Sequence, residues 1–332
     1  MGAITDVPGI KVGEAQDEDA LTGCTVILCQ DGAVAGVDVR GSAPGTRETG
    51  LLDPSNLVQR VQAIVLAGGS AFGLAAANGV MTYLRERGFG FKTANGIVPI
   101  VPGAVIYDLG IGSIERYPDH LMGYLACTVA NNEVMEGNFG AGTGATVGKV
   151  LGYKHAMKAG TGTASAMLKI TNPQNGEELD CTVGALAVTN AYGDIYKGDK
   201  IIAGAYDRET STLLDTVKLL RGGEIKPNQP SFINNTTLAV VATDAPLNKA
   251  AARKMAQMAQ DALGRTIRPA HTMFDGDAVF ALSTSRKVVN NVDPFLLTCI
   301  GALAAEVLVE AIHRSVLETQ AAGGLPAARR TD

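Results

Sequence analysis

The sequence predicts an α+β fold in which helices cover β-sheet. Apolar residues make up 46% of its 332 residues and charged residues 18%, so the chain can bury a large core. Short apolar runs occur in pairs around turn dipeptides such as Asn175-Gly176, a pattern typical of β-hairpins. Longer segments with helical periodicity accompany them, and this combination favours a layered α+β arrangement. We treat residues 1–332 as a single domain.

The first half of the chain is predicted to place strands on both sides of one helix. Residues 22–41 are expected to form two strands joined by a turn at Asp31-Gly32. A buried strand at 61–69 leads into a helix at 70–88, which ends at a glycine suited to a C-cap. Short strands are expected within 91–109.

The middle of the chain combines a second hairpin with a linker. Two strand-like runs within 164–190 flank Asn175-Gly176. The segment 221–235 is polar, contains prolines and glycines, and lacks apolar periodicity, which is typical of a linker. An apolar strand begins directly after it at Thr236.

The last third is predicted to hold two helices with a strand between them. The first helix is expected over 246–264, with Pro246 near its first turn and Gly264 just past its end. A turn and a strand follow at 271–284, and a helix over 294–320 closes the chain.

Charge and cysteine usage narrow the function classes. The net charge of −5 and the absence of a Lys/Arg cluster argue against a nucleic-acid partner. The cysteines are odd in number and lack a CxxC pair, which argues against a disulfide framework and a zinc site. The amino terminus lacks the pattern of a signal peptide, and the apolar segment 294–313 contains Glu306 and Glu310, which favours a buried helix over a membrane span. We therefore expect a cytoplasmic protein without a membrane partner.

Two glycine-rich segments resemble catalytic loops but lack their defining residues. The segment GGSAFG (68–73) lacks the second glycine of a nucleophile elbow. The segment 138–150 has Thr143 and Val150 where a phosphate loop needs glycine and Ser/Thr. We interpret both as tight backbone turns, although Lys149 is unusually placed for a surface lysine.

No histidine motif for a metal or a triad is evident among His120, His155, His271 and His313. His313 lies among apolar residues and is interpreted as structural, whereas His271 shortly precedes the acidic pair Asp275 and Asp277. This DGD sequence is typical of a solvated turn. Two such close carboxylates can also hold an ammonium group or orient a hydroxyl, and calcium is a weaker third alternative.

The sequence NNTT (234–237) stands at the mouth of the strand that begins at Thr236. Alone it is typical of a turn. A threonine at a new amino terminus, however, can act as a nucleophile with its own α-amine as base, because that amine has a pKa of about 7.7–8.0. Such an enzyme needs no histidine, but Thr236 must first attack the carbonyl of Asn235 and release the preceding chain.

Seven segments in order along nearly the whole chain resemble the DmpA/NylC family of N-terminal-nucleophile hydrolases, which includes L-aminopeptidase/D-esterases, β-aminopeptidases and nylon-oligomer hydrolases. The segments are ITDVPGIKVG (4–13), GCTVIL (23–28), GVDVRGSAPGTRET (36–49), IVLAGGSAFGLAAANGV (64–80), VPIVPGAVIYDL (98–109), NTTLAVVATDAPL (235–247) and DGDAVFALST (275–284). The resemblance implies a four-layer α-β-β-α sandwich and self-cleavage into 1–235 and 236–332. It also implies a ring-like homo-oligomer, with a tetramer favoured, and no cofactor or metal.

The resemblance also implies roles for individual residues. Thr236 would be the nucleophile and, through its amine, the base. Lys149 would polarise the Thr236 hydroxyl or help to deprotonate it, and Asn190 would donate to the oxyanion. Asp275 and Asp277 would orient the nucleophile and its ammonium group, and Tyr107 would bind substrate near the scissile carbonyl.

The substrate and the reaction leave alternatives open. DmpA-like members carry Ser as nucleophile, so Thr236 and the acidic pair are closer to the nylon-oligomer branch. Short peptides, β-peptides and linear aliphatic amides such as 6-aminohexanoate oligomers all fit. Two other hypotheses are an acyltransferase resembling ornithine acetyltransferase, which also uses a self-cleaved threonine, and an uncleaved, non-catalytic binding protein.

Overall fold

The computed structural model describes residues 2–173, 176, 178–223 and 235–328. The strands are β1 Lys11–Asp17, β2 Thr22–Val39, β3 Gly45–Arg47, β4 Arg60–Ala67, β5 Phe91–Thr93, β6 Gly96–Val98, β7 Gly103–Val105, β8 Thr146–Val147, β9 Met157–Lys158, β10 Thr161–Thr171, β11 Glu178–Asn190, β12 Asp194–Lys197, β13 Lys200–Ala203, β14 Tyr206–Asp207, β15 Thr212–Leu213, β16 Thr236–Thr243, β17 Ile267–Arg268 and β18 Ala278–Ser283. The α-helices are α1 Ala76–Glu86, α2 His120–Thr128, α3 Thr216–Gly222, α4 Lys249–Ala259, α5 Asp261–Thr266 and α6 Pro294–Leu317. Short 3-10 helices lie at Ile4–Asp6, Thr49–Leu52, Ser70–Ala75, Gly140–Gly144, Lys149–Leu151 and Tyr153–His155.

The main sheet is mixed and has the strand order β10-β11-β16-β18-β2-β4-β7-β3, with β1 paired to β2. The β16–β18 and β4–β7 pairs are parallel, and the other pairs are antiparallel. Strand β16 lies between β11 and β18, and all eight of its residues are buried. Thr236, the first residue of β16, pairs with Asn190 of β11, and Asn235 before it forms a bridge with Asp275 ahead of β18.

Helices cover the strands in two groups, which confirms the predicted α+β class. Helices α1 and α2 pack against β1, β2 and β4, and α4, α5 and α6 pack against each other and against β2, β10, β11 and β18. Alternation along β4 separates the two cores: Ala63, Val65 and Ala67 face α1 and α2, and Ile64 and Leu66 belong to the larger core. A Cβ at Gly13 would lie 1.9 Å from a carbonyl of α2, so a glycine is needed for this close approach.

The predicted hairpin at 22–41 is wrong, because β2 continues from Thr22 to Val39 as one strand. The pairing of β2 with β4 instead shifts register between Leu28 and Ala33. Gly32, which the dipeptide rule assigned to a turn, has φ +86 at this irregularity. Long-range pairing on both edges therefore overrides the local turn preference.

The helix predicted over 246–264 also differs in detail. It is divided into α4 and α5, and Gly264 lies inside α5 rather than past its end. The amino-terminal cap is Asn248, whose side chain accepts from the Ala251 N–H at 2.9 Å, two residues after Pro246.

The remaining predicted elements occur close to their expected positions. Strands β5, β6 and β7 and helix α1 lie within the predicted ranges, β4 begins at Arg60, one residue before its predicted start, and β10 and β11 form the antiparallel pair expected for 164–190. Asn175 and residues 224–234 of the predicted linker lie outside the described residues. Helix α6 is long and apolar enough to cross a membrane, yet here it packs on β10 and β11.

Candidate active site

Thr236 opens β16 with its hydroxyl against the carbonyl of the residue before it. Its exposed fraction is 4% and that of Asn235 is 3%, so the bond between them is buried. The Thr236 Oγ1 donates a hydrogen bond to the Asn235 carbonyl oxygen. In the ladder with β11, Thr236 lies opposite Asn190. The predicted nucleophile therefore touches the predicted scissile group.

The DGD sequence lies on the other side of this bond, at the entry to β18. Asn235 forms a parallel bridge with Asp275, and the Gly276 N–H donates to the Asn235 carbonyl oxygen at 3.1 Å. Asp277 accepts from the Thr237 N–H at 2.7 Å through Oδ1. The parallel β16–β18 pairing thus places the predicted acidic pair beside the predicted cleavage site.

Each acidic side chain is buried and held by its own donors. Asp277 Oδ2 is 2.9 Å from His271 Nδ1, and it also accepts from the His271 N–H. Asp275 accepts from the N–H and hydroxyl of Thr272 at 2.9 and 2.6 Å and from the Tyr192 N–H. Burial, reinforced by the neighbouring Asp277, raises the pKa of Asp275 to about 6. The carboxylates hold the backbone around Thr236, and their predicted role toward its ammonium group stays a prediction.

Asn190 and Lys149 form a polar pair inside the fold. Lys149 Nζ donates to Asn190 Oδ1 at 2.7 Å, and the N–H and hydroxyl of Thr146 donate to the same oxygen. These donors fix the amide so that Asn190 Nδ2 points the opposite way and donates to the Tyr107 carbonyl at 3.1 Å. The structure therefore brings four of the predicted elements together: Thr236, the acidic pair, Asn190 and Lys149.

The electrostatics of Lys149 suit a proton acceptor. Burial lowers its pKa well below the ordinary lysine value, against the opposing effect of the Asp275 and Asp108 carboxylates. A buried lysine with a lowered pKa is partly neutral near physiological pH and can accept a proton. Tyr107 reaches the cluster through its backbone carbonyl, and its predicted role in substrate binding stays a prediction.

A second buried lysine, Lys158, lies in the same part of the fold. Its Nζ donates to the carbonyls of Gly142, Ala145 and Ala159. Burial lowers the pKa of Lys158 to about 7, and the Asp108 carboxylate opposes this shift. Asp108 itself accepts from the Gly69 N–H and the Thr22 hydroxyl, and burial raises its pKa to about 6. Asp108 thus acts electrostatically on both lysines.

Three residues of the site were not predicted from the sequence. Gly276 was treated only as the spacer of the acidic pair, His271 was noted without a role, and Thr146 was not singled out. Gly276 and Thr146 act through contacts with distant segments, so local patterns carry no signal for them, whereas His271 contacts Asp277 six residues later. The position of His271 just before DGD was the one available indication.

The site is closed in the uncleaved chain. Lys149 and Asn190 are buried like Thr236. A cavity of about 360 Å³ is lined by residues including Leu21, Phe139 and Glu318, and one of about 460 Å³ by residues including Tyr206 and Leu213; neither reaches the cluster.

Comparison with known proteins assigns this geometry to a family. Residues 2–329 match the model of peptidase family S58. An uncharacterized aminopeptidase of Mycobacterium tuberculosis is 43% identical over 99% of this chain and 97% of its own length. The 6-aminohexanoate-oligomer endohydrolase of a Kocuria species is 32% identical over 92% of this chain and 84% of its own length.

The fold likewise has a solved counterpart. The L-aminopeptidase D-Ala-esterase/amidase of Ochrobactrum anthropi, described as a variant of the Ntn hydrolase fold, superposes with a TM-score of 0.70 at 21% identity. The superposition covers 96% of this chain and 86% of that chain. The predicted four-layer fold of the N-terminal-nucleophile-hydrolase type is thereby confirmed.

Proposed function

This chain belongs to peptidase family S58, the DmpA/NylC family, and is a hydrolase of amide bonds, and we propose that it activates itself by cutting between Asn235 and Thr236. Cleavage frees the α-amine of Thr236, which then serves as base for its own hydroxyl. The observation that supports this proposal is the Thr236 hydroxyl resting on the Asn235 carbonyl inside a closed, polar cluster.

Self-cleavage needs a base other than the amine, because that nitrogen is still part of the peptide bond. We assign this role to Lys149. Burial lowers its pKa, and its side chain contacts Asn190, which lies opposite Thr236 in the β11–β16 ladder. The Thr236 oxygen attacks the Asn235 carbonyl carbon and its proton passes to Lys149. The C–N bond then breaks, the nitrogen takes up a proton, and water hydrolyses the resulting ester to a free Asn235 carboxylate.

In the mature enzyme the same hydroxyl attacks a substrate amide. Asn190 Nδ2 is proposed to donate to the oxyanion of that reaction, since its Oδ1 is already fixed by Lys149 and Thr146. The acyl group is then held as an ester on Thr236 until water releases it.

The proposed substrates are short peptides or linear aliphatic amides. A relative over most of the chain is named for 6-aminohexanoate oligomers, and the structural counterpart is named for aminopeptidase and amidase activity. We include 6-aminohexanoate oligomers among the candidates. A panel of α-peptides, β-peptides and such oligomers, assayed by product release, separates these classes.

The decisive experiment compares two neighbouring threonines. Thr236→Ala should leave one 34.3 kDa chain that is folded and inactive, because it lacks the attacking oxygen. Thr237→Ala is the matched control, since Thr237 is buried in the same strand and its hydroxyl has no hydrogen-bond partner among the described residues. Denaturing gels and intact mass spectra report the cut. Cleavage in Thr236→Ala, or an uncut wild type after long incubation, would overturn the proposal.

A further inference from the structure

We propose that the backbone N–H of Gly276 is the oxyanion donor of the self-cleavage reaction. This inference rests on the proposed function, because it concerns how the bond between Asn235 and Thr236 breaks. It also gives the glycine of the DGD sequence a chemical role of its own, separate from those of the two acids.

The Gly276 N–H lies close to the oxygen that would become the oxyanion. The nitrogen of Gly276 is 3.1 Å from the carbonyl oxygen of Asn235, the oxygen on which negative charge develops when Thr236 attacks. Donors in an oxyanion site lie about 2.7–3.1 Å from that oxygen. The Gly276 N–H therefore meets the geometric requirement before the reaction begins.

The Thr236 hydroxyl, the other donor to the Asn235 carbonyl, stops donating during the reaction. In the uncleaved chain the Asn235 carbonyl accepts from both the Thr236 hydroxyl and the Gly276 N–H. The hydroxyl gives up its proton as its oxygen bonds to the carbonyl carbon, so it stops donating as the π electrons move onto the carbonyl oxygen. The Gly276 N–H keeps its proton, and its hydrogen bond strengthens as negative charge grows on the carbonyl oxygen. An interaction that is stronger in the transition state than in the ground state accelerates a reaction.

The backbone around Gly276 is fixed by hydrogen bonds on both sides. On its amino-terminal side, Asp275 forms the parallel bridge with Asn235, and its carbonyl accepts from the Ala43 N–H at 2.9 Å. On the other side, the Asp277 carbonyl accepts from the N–H groups of Arg40 and Gly41 at 3.0 and 3.2 Å. A donor held in this way needs little reorganisation when charge develops.

The space around position 276 has no room for a side chain. A Cβ at position 276 would lie 2.6 Å from the Ala43 carbonyl oxygen and 2.8 Å from Thr236 Oγ1. Any side chain would push against the attacking oxygen itself. The glycine therefore lets the peptide N–H and the nucleophile approach the same carbonyl together.

The test replaces the Gly276 N–H by an ester oxygen, using glycolic acid at position 276 in cell-free translation of the full chain. This change removes the donor without adding a side chain. The matched control is an ester at Thr284, whose N–H donates to the Thr243 carbonyl at 2.9 Å at the far end of the same strand pair. Rates of fragment formation are followed by intact mass, and folding by circular dichroism.

We expect the ester at 276 to slow cleavage by about 10²–10³-fold, the usual cost of one oxyanion donor, and the ester at 284 to cleave at close to the wild-type rate. Wild-type cleavage with the ester at 276 would overturn this inference and leave self-cleavage intact. No cleavage in the wild type would instead refute the proposed function.

A second pair of variants answers the same question if the ester at 276 does not fold. Gly276→Ala and Gly276→Pro both add a Cβ at the same place, but only the proline lacks the N–H. Both variants should cleave more slowly than the wild type because of the added Cβ; a further loss in Gly276→Pro relative to Gly276→Ala supports the assignment, and equal measurable rates contradict it.

Discussion

Lys149 and Lys158 are both buried lysines of one fold, yet their surroundings differ in kind. Lys158 is enclosed by backbone carbonyls at positions 142, 145 and 159, which accept hydrogen bonds but cannot exchange protons. Lys149 contacts the side chain of Asn190, which lies opposite Thr236 in the β11–β16 ladder. Burial lowers the pKa of both, so a lowered pKa alone does not distinguish a base from a structural cation.

We infer that the hydrogen-bond partners of each buried lysine determine whether it contributes to chemistry or to stability. Two of the carbonyls around Lys158, those of Gly142 and Ala145, belong to the turn that leads to Thr146, so this lysine connects the turn to β9. Lys149 contacts Asn190, which lies one strand away from Thr236. We therefore expect changes at Lys149 to appear in the chemistry and changes at Lys158 to appear mainly in stability.

The largest effect is expected from Lys149→Met, which can break the comparison outright. Loss of a general base slows a reaction by about 10²–10⁴-fold, so self-cleavage should become very slow while the chain stays folded. Self-cleavage of Lys158→Met should be slower than that of the wild type by less than about tenfold. It should lower the free energy of unfolding by about 1–3 kcal/mol, because it removes the cation from buried carbonyls.

Fragment formation and urea unfolding measure both variants side by side. Equal slowing of cleavage in the two variants would show that the distinction between the lysines is wrong.

The second prediction concerns the pH dependence of self-cleavage. The rate should rise with pH through the folded-state pKa of Lys149, which lies well below its ordinary value, because the neutral amine is the proposed base. The Asp108 carboxylate raises this pKa and the Lys158 charge lowers it. Asp108→Asn should therefore move the profile toward acid and Lys158→Met toward alkali, each on the order of one pH unit or less. Unshifted profiles in both variants would argue against Lys149 as the base.

The third prediction concerns Asp108, the carboxylate that acts on both lysines. Its folded-state pKa is raised from 3.8 to about 6, so the folded chain binds more protons than the unfolded chain between these values, and stability falls as pH rises through this window. Asn can keep both hydrogen bonds, accepting from Gly69 and donating to Thr22. The free energy of unfolding of Asp108→Asn, compared with that of the Asp108 chain, should therefore increase by about 2–3 kcal/mol as the pH is raised from 4 to 7.

Urea unfolding at the two pH values, in a Thr236→Ala background that keeps the chain whole, checks this difference. A pH-independent difference between Asp and Asn would contradict it.

Much of the fold follows from local patterns, and the failures share one cause. Buried strands such as 61–67 and the helix that starts near Asp293 are marked by apolar periodicity and capping residues. The false hairpin at Asp31-Gly32 and the misplaced helix end at Gly264 arose where long-range pairing or packing outweighed a local glycine signal.

The candidate site was predictable as a set of residues but not as an arrangement. The resemblance of the sequence motifs to the family predicted Thr236, Lys149, Asn190 and the acidic pair as site residues. Their proximity depends on the order β11-β16-β18, in which segments far apart in sequence become neighbours. Contacts such as that of Thr146 with Asn190, 44 residues apart, have no local sequence signature.

By itself, the sequence determined the fold class and the family, and it singled out the threonine that we propose as nucleophile, because these depend on residue types and their order. Only the tertiary structure decided that the Thr236 hydroxyl meets the Asn235 carbonyl and that the Gly276 N–H meets it from the other side. It also decided which of two buried lysines lies beside the site. Hydrogen bonds act over about 3 Å, so such roles are settled by packing between distant segments.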